Sequence, residues 1–579
     1  MASAKHGTGS RSIWPPFNPP EPDGPRRTGC RRPPAAMRLR PGPDPTSDSG
    51  RHAGGIRSSS GRECYPLTRG GGIGTVDLYS PNLSPMQRRR SPMPQPAVSI
   101  LLLLLALLLV LAAVLLVRAA RFRPDAADLA PHAGGGEPIP VDADAAAGRL
   151  SQLIRKRTVS SREPSSADRA EFRSLLDLLP DLYPAAHRAL EREIVNGRTL
   201  LYRWQGAEPE APTVLMSHFD VVPAEEEGWL HPPFSGEIAD GRVWGRGAID
   251  TKGTLVCILE AVEQLVASGF KPKRDIYLSF CDDEEIAGDG APTHVRLLQE
   301  RGIRPGLVVD EGGAVVENIF PGVRGPIAVV GVAEKGVSDF ELVVRGAGGH
   351  ASAPPRLGPA FRLARAIQRL ERRPPKPFFP PPTLDMLDTL GRRSSFGYRI
   401  LFANLWLLRP LLARLFHRLS PETRALSSTT IAVTTLQGSP AANVLPAEAK
   451  AGANVRVAVG ETAAGVAARM RRAIADDAVE LRIVRAGDPS PVSTTREEPY
   501  RIVAAAIRGT YPEAAVTPYV MLGGSDSRHF AAVWPYVYRF TPYELSREER
   551  ETIHAANESL PIRKLGKGIE FYIRLIRSV

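Results

Sequence analysis

Six residues in this chain are of types and at spacings that could do chemistry together: His218, Asp220, Asp250, Glu284, Glu285 and Asp310. Each follows an apolar run or lies in a glycine-rich stretch. His218-Phe219-Asp220 comes after Thr213–Met216, and Asp250 closes Gly245-Arg246-Gly247-Ala248-Ile249. Glu284 and Glu285 come after Ile276–Cys281, and Asp310 after Leu307–Val309. Imidazole and carboxylate are ligands that a borderline dication such as zinc accepts. Three or four carboxylates with two histidines suit a two-metal centre in which one carboxylate bridges the ions. Asp220, two residues from His218, can lie on the same side of an extended chain and orient the imidazole. Glu284 and Glu285 are adjacent, so in a strand they face opposite ways. One can bind metal while the other faces substrate as a proton carrier. Singly, each is more often a cap or a loop acid; their order and spacing together carry the reading.

The elements that must position them alternate between strand-like and helical runs, which argues for an α/β fold. The acids and the histidine fall just past the carboxyl ends of strands, where open α/β sheets place their ligands. From about Gly336 the pattern changes. Val337–Val344 alternates like a half-exposed strand, and a proline-rich break and a strongly apolar stretch, Ile400–Leu419, follow. The expected architecture is a catalytic domain with a mixed sheet flanked by helices, in two parts (149–335 and 487–579). A smaller α+β lid or dimerisation domain (336–486) is inserted between them.

The formal net charge is +12, but nine of those charges lie in residues 1–95, where 15 Lys and Arg face 6 Asp and Glu. A nearly neutral body behind a basic leader is not the profile of a nucleic-acid binder. The leader holds 16 Pro and 13 Gly and reads as disordered. Met86 precedes Gln87-Arg88-Arg89-Arg90, so a second reading starts the native chain at Met86 or Met93. Residues 97–117 carry no charge and span ~30 Å as a helix. No small-x-small cleavage site follows Val117, so a single-pass signal anchor is expected rather than a cleaved peptide. Arginines on both sides leave the positive-inside count nearly tied; the catalytic body is expected on the extracytoplasmic side, after a linker (118–148). Four cysteines in 579 residues exclude a disulfide-built fold.

Three motifs carry a resemblance. Ser217-His218-Phe219-Asp220-Val221-Val222-Pro223, Gly245-Arg246-Gly247-Ala248-Ile249-Asp250-Thr251-Lys252-Gly253 and Asp283-Glu284-Glu285 resemble those of the dizinc metallopeptidase and aminoacylase family, in order, over roughly residues 145–579. The resemblance implies two zinc ions, with cobalt or manganese as possible substitutes. His218 and Asp310 would hold one, Glu285 and His554 the other, and Asp250 would bridge them. Glu284 would be the general base, with Asp220 supporting His218. His554, in Thr552-Ile553-His554-Ala555-Ala556-Asn557-Glu558, matches the family's terminal histidine motif better than His529 does. His231 and His294 read as surface or loop residues.

In the inserted domain, His350 of Gly348-Gly349-His350-Ala351-Ser352 is similar to the family's lid histidine, which polarises the scissile carbonyl, often across a dimer interface. Asn443 and Arg456 match lid residues that contact substrate, and Arg528 offers a guanidinium fork for a substrate carboxylate. The stretch from Ala403 to Thr430 resembles an insertion of the carboxypeptidase S and N-fatty-acyl-amino-acid synthase/hydrolase branch. The resemblance implies hydrolysis or formation of the amide of an N-acyl amino acid, with a carboxypeptidase or dipeptidase as the alternative. The expected partners are that small molecule or a short peptide, the membrane, and a second copy through the lid.

Overall fold

The computed structural model describes residues 95–124, 137–317, 320 and 322–579. The leader read from residues 1–95, except Gln95, and residues 125–136 of the linker lie outside the described residues. The described residues form one compact unit.

A nine-stranded mixed sheet organises the site. Its strand order is Glu191–Val195, Thr199–Trp204, Arg274–Cys281, Glu208–His218, Leu307–Asp310, Val537–Arg539, Ile327–Glu334 and Ala515–Met521, with Ala314–Val316 paired to Ile327–Glu334. The strand that ends at His218 is central, parallel to Arg274–Cys281 on one side and to Leu307–Asp310 on the other. Its last seven residues are all buried, as expected for a strand covered on both faces. Helices Lys252–Ala267 and Ile562–Ser578 pack together and belong to the core built on this sheet. The register pairs His218 with Cys281. The chain therefore leaves both strands at one level, and the acidic run begins beside the histidine.

A second, antiparallel sheet follows the crossing at Lys335, in the order Thr430–Gln437, Glu448–Val457, Gly336–Arg345, Val479–Arg485. Glu448–Val457 alternates half-buried and buried throughout, the mark of one covered face. Helices Pro359–Arg372 and Ala463–Ile474 complete that separate core. Residues 336–486, expected as one inserted domain, divide between two cores. Phe379, Met386, Leu387, Leu412, Phe416 and Leu426 join the core of the large sheet, where helix Pro381–Arg393 packs on strand Ala515–Met521.

One boundary differs from expectation. Helix Ala143–Ile154 begins inside the stretch read as linker, capped by Asp142, which accepts from Ala145 N at 2.9 Å. Its alanines are small enough to bury against the body, so composition alone resembled a linker. Near the N-terminus, helix Gln95–Arg121 contains a stretch, Ser99–Arg121, long and apolar enough to cross a membrane, with mean hydropathy 3.6.

Candidate metal centre

Six side chains converge at the carboxyl end of the central strands. His218 Nε2 lies 3.1 Å from Asp250 Oδ1 and 3.4 Å from Glu311 Oε1. His554 Nε2 lies 3.0 Å from Asp250 Oδ2 and 3.2 Å from Glu285 Oε2. Asp250 thus stands between the two imidazoles, one oxygen toward each. Ligand atoms of His218, Glu284 and Glu311 fall within 4.8 Å of one another, as do those of His218, Asp250 and Glu285.

Local folding explains the convergence. Asp220 is fully buried. Its carboxylate accepts from the backbone N–H of Glu284 and Glu285 at 3.2 and 3.1 Å and lies 3.2 Å from His218 Nδ1. One carboxylate therefore orients the histidine and holds the acidic loop. Thr251 Oγ1 accepts from His218 N, joining that strand to the Asp250 loop. In that loop Gly247 sits at φ +87°, and an added Cβ would lie 2.8 Å from Val221 Cγ1, so a side chain is excluded both ways.

Glu558 was not singled out from sequence, yet it organises this loop. Fully buried, it accepts from Ile249 N at 2.8 Å and Asp250 N at 3.2 Å, and it pairs with Arg246 at 2.5 Å. Four residues earlier, His554 takes φ +61°, a left-handed conformation uncommon outside glycine and enriched at functional positions. The signal for Glu558 was its place in the motif after His554.

Asp310 lies outside the cluster, and Glu311 takes the place beside His218. Asp310 is the last ladder residue, paired with Arg539, and its carboxylate accepts from Ser527 N at 2.9 Å. Glu311 is the first residue past the ladder and is free to turn into the cleft. His294, expected at the surface, is fully buried, with Nδ1 bonded to Ser279 Oγ at 2.7 Å; burial pushes its pKa down to about 3. His529 is outside the cluster.

Electrostatics mark the site as built for cations. Burial raises Glu284 well above the carboxylate range, and burial with the neighbouring Asp250 charge pushes Glu311 up to about 8. His554 is pushed up to about 10 by its bonds to Asp250 and Glu285. Burial opposes charge on His218, yet its carboxylate neighbours raise its pKa well above the usual value. Glu285 Oε1 is buried with no hydrogen-bond partner among the described residues. Arg528 Nη1 approaches Glu284 at 3.8 Å. Four crowded carboxylates and two imidazoles, one carboxylate oxygen orphaned, fit two divalent cations in an oxygen–nitrogen site.

The other expected residues stand apart. His350 is exposed on a two-residue strand paired with Val444–Leu445, with Nδ1 2.7 Å from Ser352 Oγ. The exposed Asn443 accepts from Ala351 N through its carbonyl. Arg456 is half-buried and donates to Asn454 Oδ1 at 3.1 Å. Among the described residues no hydrogen bond or ion pair joins these three to the cluster.

A mixed α/β sheet with two histidines and four carboxylates at its carboxyl edge defines a metallohydrolase scaffold. The sequence of residues 214–578 matches the model of peptidase family M20/M25/M40, and the chain belongs to that family. It is 35% identical to probable carboxypeptidase S-like 2 of Dictyostelium discoideum over 74% of this chain and 84% of that one. It is 36% identical to the N-fatty-acyl-amino acid synthase/hydrolase of Xenopus tropicalis over 74% of this chain and 85% of that one. The fold is shared with an M20 family metallo-carboxypeptidase of Sulfolobus solfataricus, at TM-score 0.55 and 18% identity over 75% of this chain and 98% of that one. The protein is a hydrolase acting on amide bonds.

Proposed function

We propose that the protein is a membrane-anchored dizinc amidohydrolase that cleaves or forms the amide bond of N-acyl amino acids. The observation that carries this reading is the paired cluster about Asp250, with Glu284 beside Arg528 at its edge. The names of the synthase/hydrolase relatives favour the acyl substrate; those of the carboxypeptidase S relatives favour short peptides as the second reading.

His218 and Glu311 would hold one zinc, Glu285 and His554 the other, with Asp250 between them; cobalt or manganese would suit the same donors. When bound, such ions lower the pKa of water to about 7 and polarise a carbonyl. Glu284 takes the proton of the attacking water and passes it to the leaving amine. Its desolvated position suits that shuttling, because burial raises its proton affinity above that of an ordinary carboxylate. Asp220 holds His218 and the Glu284 backbone in place. Arg528, with Arg456 from the smaller sheet and Asn443 from the turn before strand Val444–Leu445, would receive the amino-acid carboxylate. His350 would donate to the developing oxyanion.

The smaller sheet would then act as a lid and carry a homodimer interface. Its edge strand Thr430–Gln437 leaves Val433 and Leu436 exposed. Helix Ser99–Arg121 would be the single-pass anchor, with the body on the extracytoplasmic side.

The test is a turnover screen of the full chain in detergent, against N-acyl amino acids of rising chain length and against dipeptides, with metal analysis. Each methylene buried in an acyl groove adds about 0.8 kcal/mol, so kcat/KM should climb with chain length. A flat profile with dipeptides preferred would favour the peptidase reading.

A further inference from the structure

Helix Gln95–Arg121 is not free of the enzyme body. Over its last turns one stripe is covered: Ala119 is fully buried and Leu111, Leu115 and Phe122 are half-buried, while the other residues from Ser99 to Val117 are exposed. The covering element is helix Phe396–Phe402 with the turn after it. Arg118 donates to Ala403 O at 3.0 and 3.2 Å, and Asn404 Nδ2 donates to Leu115 O at 3.1 Å. The Arg392 guanidinium lies 4.7 Å from the Phe122 ring centroid.

These contacts fix a height. An uncharged stretch ending at Val117 puts the hydrocarbon edge near Arg118. Leu115 lies inside that edge, and Leu111 lies about 10 Å inside it at 1.5 Å per residue. Asn404, bonded to Leu115, is therefore held at the hydrocarbon edge. There the chain bends by 102° into helix Leu405–Leu419. Leu412, Ala413 and Phe416 turn inward to the enzyme core. Trp406, Leu407, Leu411, Leu415 and Leu419 face out, 41–61% exposed. Residues 389–421 contain six arginines and no acid. At 15 residues the helix is too short to span a bilayer. An apolar outer face flanked by arginines suits a helix lying in the interface, sunk about 5–10 Å with its cations among phosphates.

We propose that helices Phe396–Phe402 and Leu405–Leu419 form a second membrane contact, lying in the interfacial layer of the leaflet from which the anchor emerges. The occupant of the apolar face is a phospholipid bilayer bearing anionic headgroups. This rests on the anchor reading and goes beyond it. The body is clamped to the surface rather than swinging on a tether, and it faces the layer into which long-chain N-acyl amphiphiles partition.

The test uses the full chain in vesicles of phosphatidylcholine with a minority of phosphatidylglycerol. Flotation reads the anchor. The contact is read by quenching of tryptophan emission with lipids brominated near the glycerol end or near the methyl end of the chains. Parent and Trp406→Phe are compared; the substitution keeps an aromatic ring at an exposed position. The expected result is that the emission missing in Trp406→Phe is quenched by more than half by shallow bromine and less by deep bromine. If the chain floats but that component ignores bromine, the contact is wrong and the anchor stands. A blue-shifted but bromine-insensitive component would mean a second copy covers the helix, and it also overturns the proposal. If the chain does not float, the anchor reading fails and the contact fails with it.

Discussion

The cleft and the inserted region contrast in how completely each holds the side chains expected to function. Around Asp250 several groups are fixed by others: Asp220 by two backbone N–H groups, Asp250 by Glu558, His554 by two carboxylates. In the inserted region, His350 on its two-residue strand, Asn443 just before the partner strand and Arg456 on the smaller sheet bond, among the described residues, to near neighbours only. The cleft already holds its carboxylates and imidazoles together as a candidate cation site. On the proposed reading, the groups of the inserted region would gain a role only when brought to the cleft, by closure of this chain or by a second copy. Crowded carboxylates need rigid backbone partners to stay together, whereas an exposed donor needs only to arrive.

The sharpest way to break this contrast is through the metals. Chelation should abolish turnover, and readdition of zinc should restore it. Glu311→Gln should lose close to one metal equivalent by elemental analysis. Its activity should fall by more than the roughly 10–100-fold seen when only a ligand's hydrogen-bonding partner is lost. Asp310→Asn should keep both metals; the reverse pattern would return the ligand role to Asp310. Next in size is Glu284→Gln. It should keep both metals and lose on the order of 10²–10⁴-fold in kcat, the span of a general base. Near-normal turnover would remove Glu284 from that role.

Much of this site was legible because punctuation marks it. His218, Asp250, Glu284, Glu285 and His554 each sit beside a glycine, a strand end or a motif, and the structure gathers all five. Asp310 and Glu311 were not separable, because which residue is last in a ladder depends on pairing with Arg539, more than 200 residues away. The mixed sheet was legible from alternating runs. The division of residues 336–486 between two cores was not. Helix Leu405–Leu419 is apolar both on the face that packs inward and on the face that looks out, so its pattern does not say which side belongs to the protein.

A smaller effect bears on the other side of the contrast. His350→Ala should lose about 10²–10³-fold in kcat, the loss of one oxyanion donor, with metal content unchanged. Mixing His350→Ala with Glu284→Gln protomers then separates the two ways His350 can arrive. If it acts across a dimer, half the dimers are mixed and each regains one intact site, so activity should recover to about one quarter of the parent. If it closes within its own chain, mixing restores nothing.

The smallest effect concerns Lys335, where the chain passes from the large sheet to the small one. Its ammonium is buried and donates to Ala425 O at 3.0 Å and Ser428 O at 2.8 Å. Burial, with the Arg456 charge nearby, pushes its pKa down from 10.5 to about 7, and Glu461 opposes that only in part. Between those values the unfolded chain binds more protons than the folded one, so stability from this group rises with pH through the window. It is lost as pH falls toward about 7. Lys335→Met removes this dependence and also two hydrogen bonds, each worth about 0.5–1.5 kcal/mol. The parent should therefore exceed the variant in Tm most clearly near the top of the window, and the gap should narrow or reverse below about 7. Other groups that titrate there, Glu311 among them, are common to both proteins and cancel in the difference. A gap that stays constant with pH would mean that Lys335 stays charged in the folded protein. The crossing would then be held by an ion-like contact, no softer than the carboxylate lattice of the cleft.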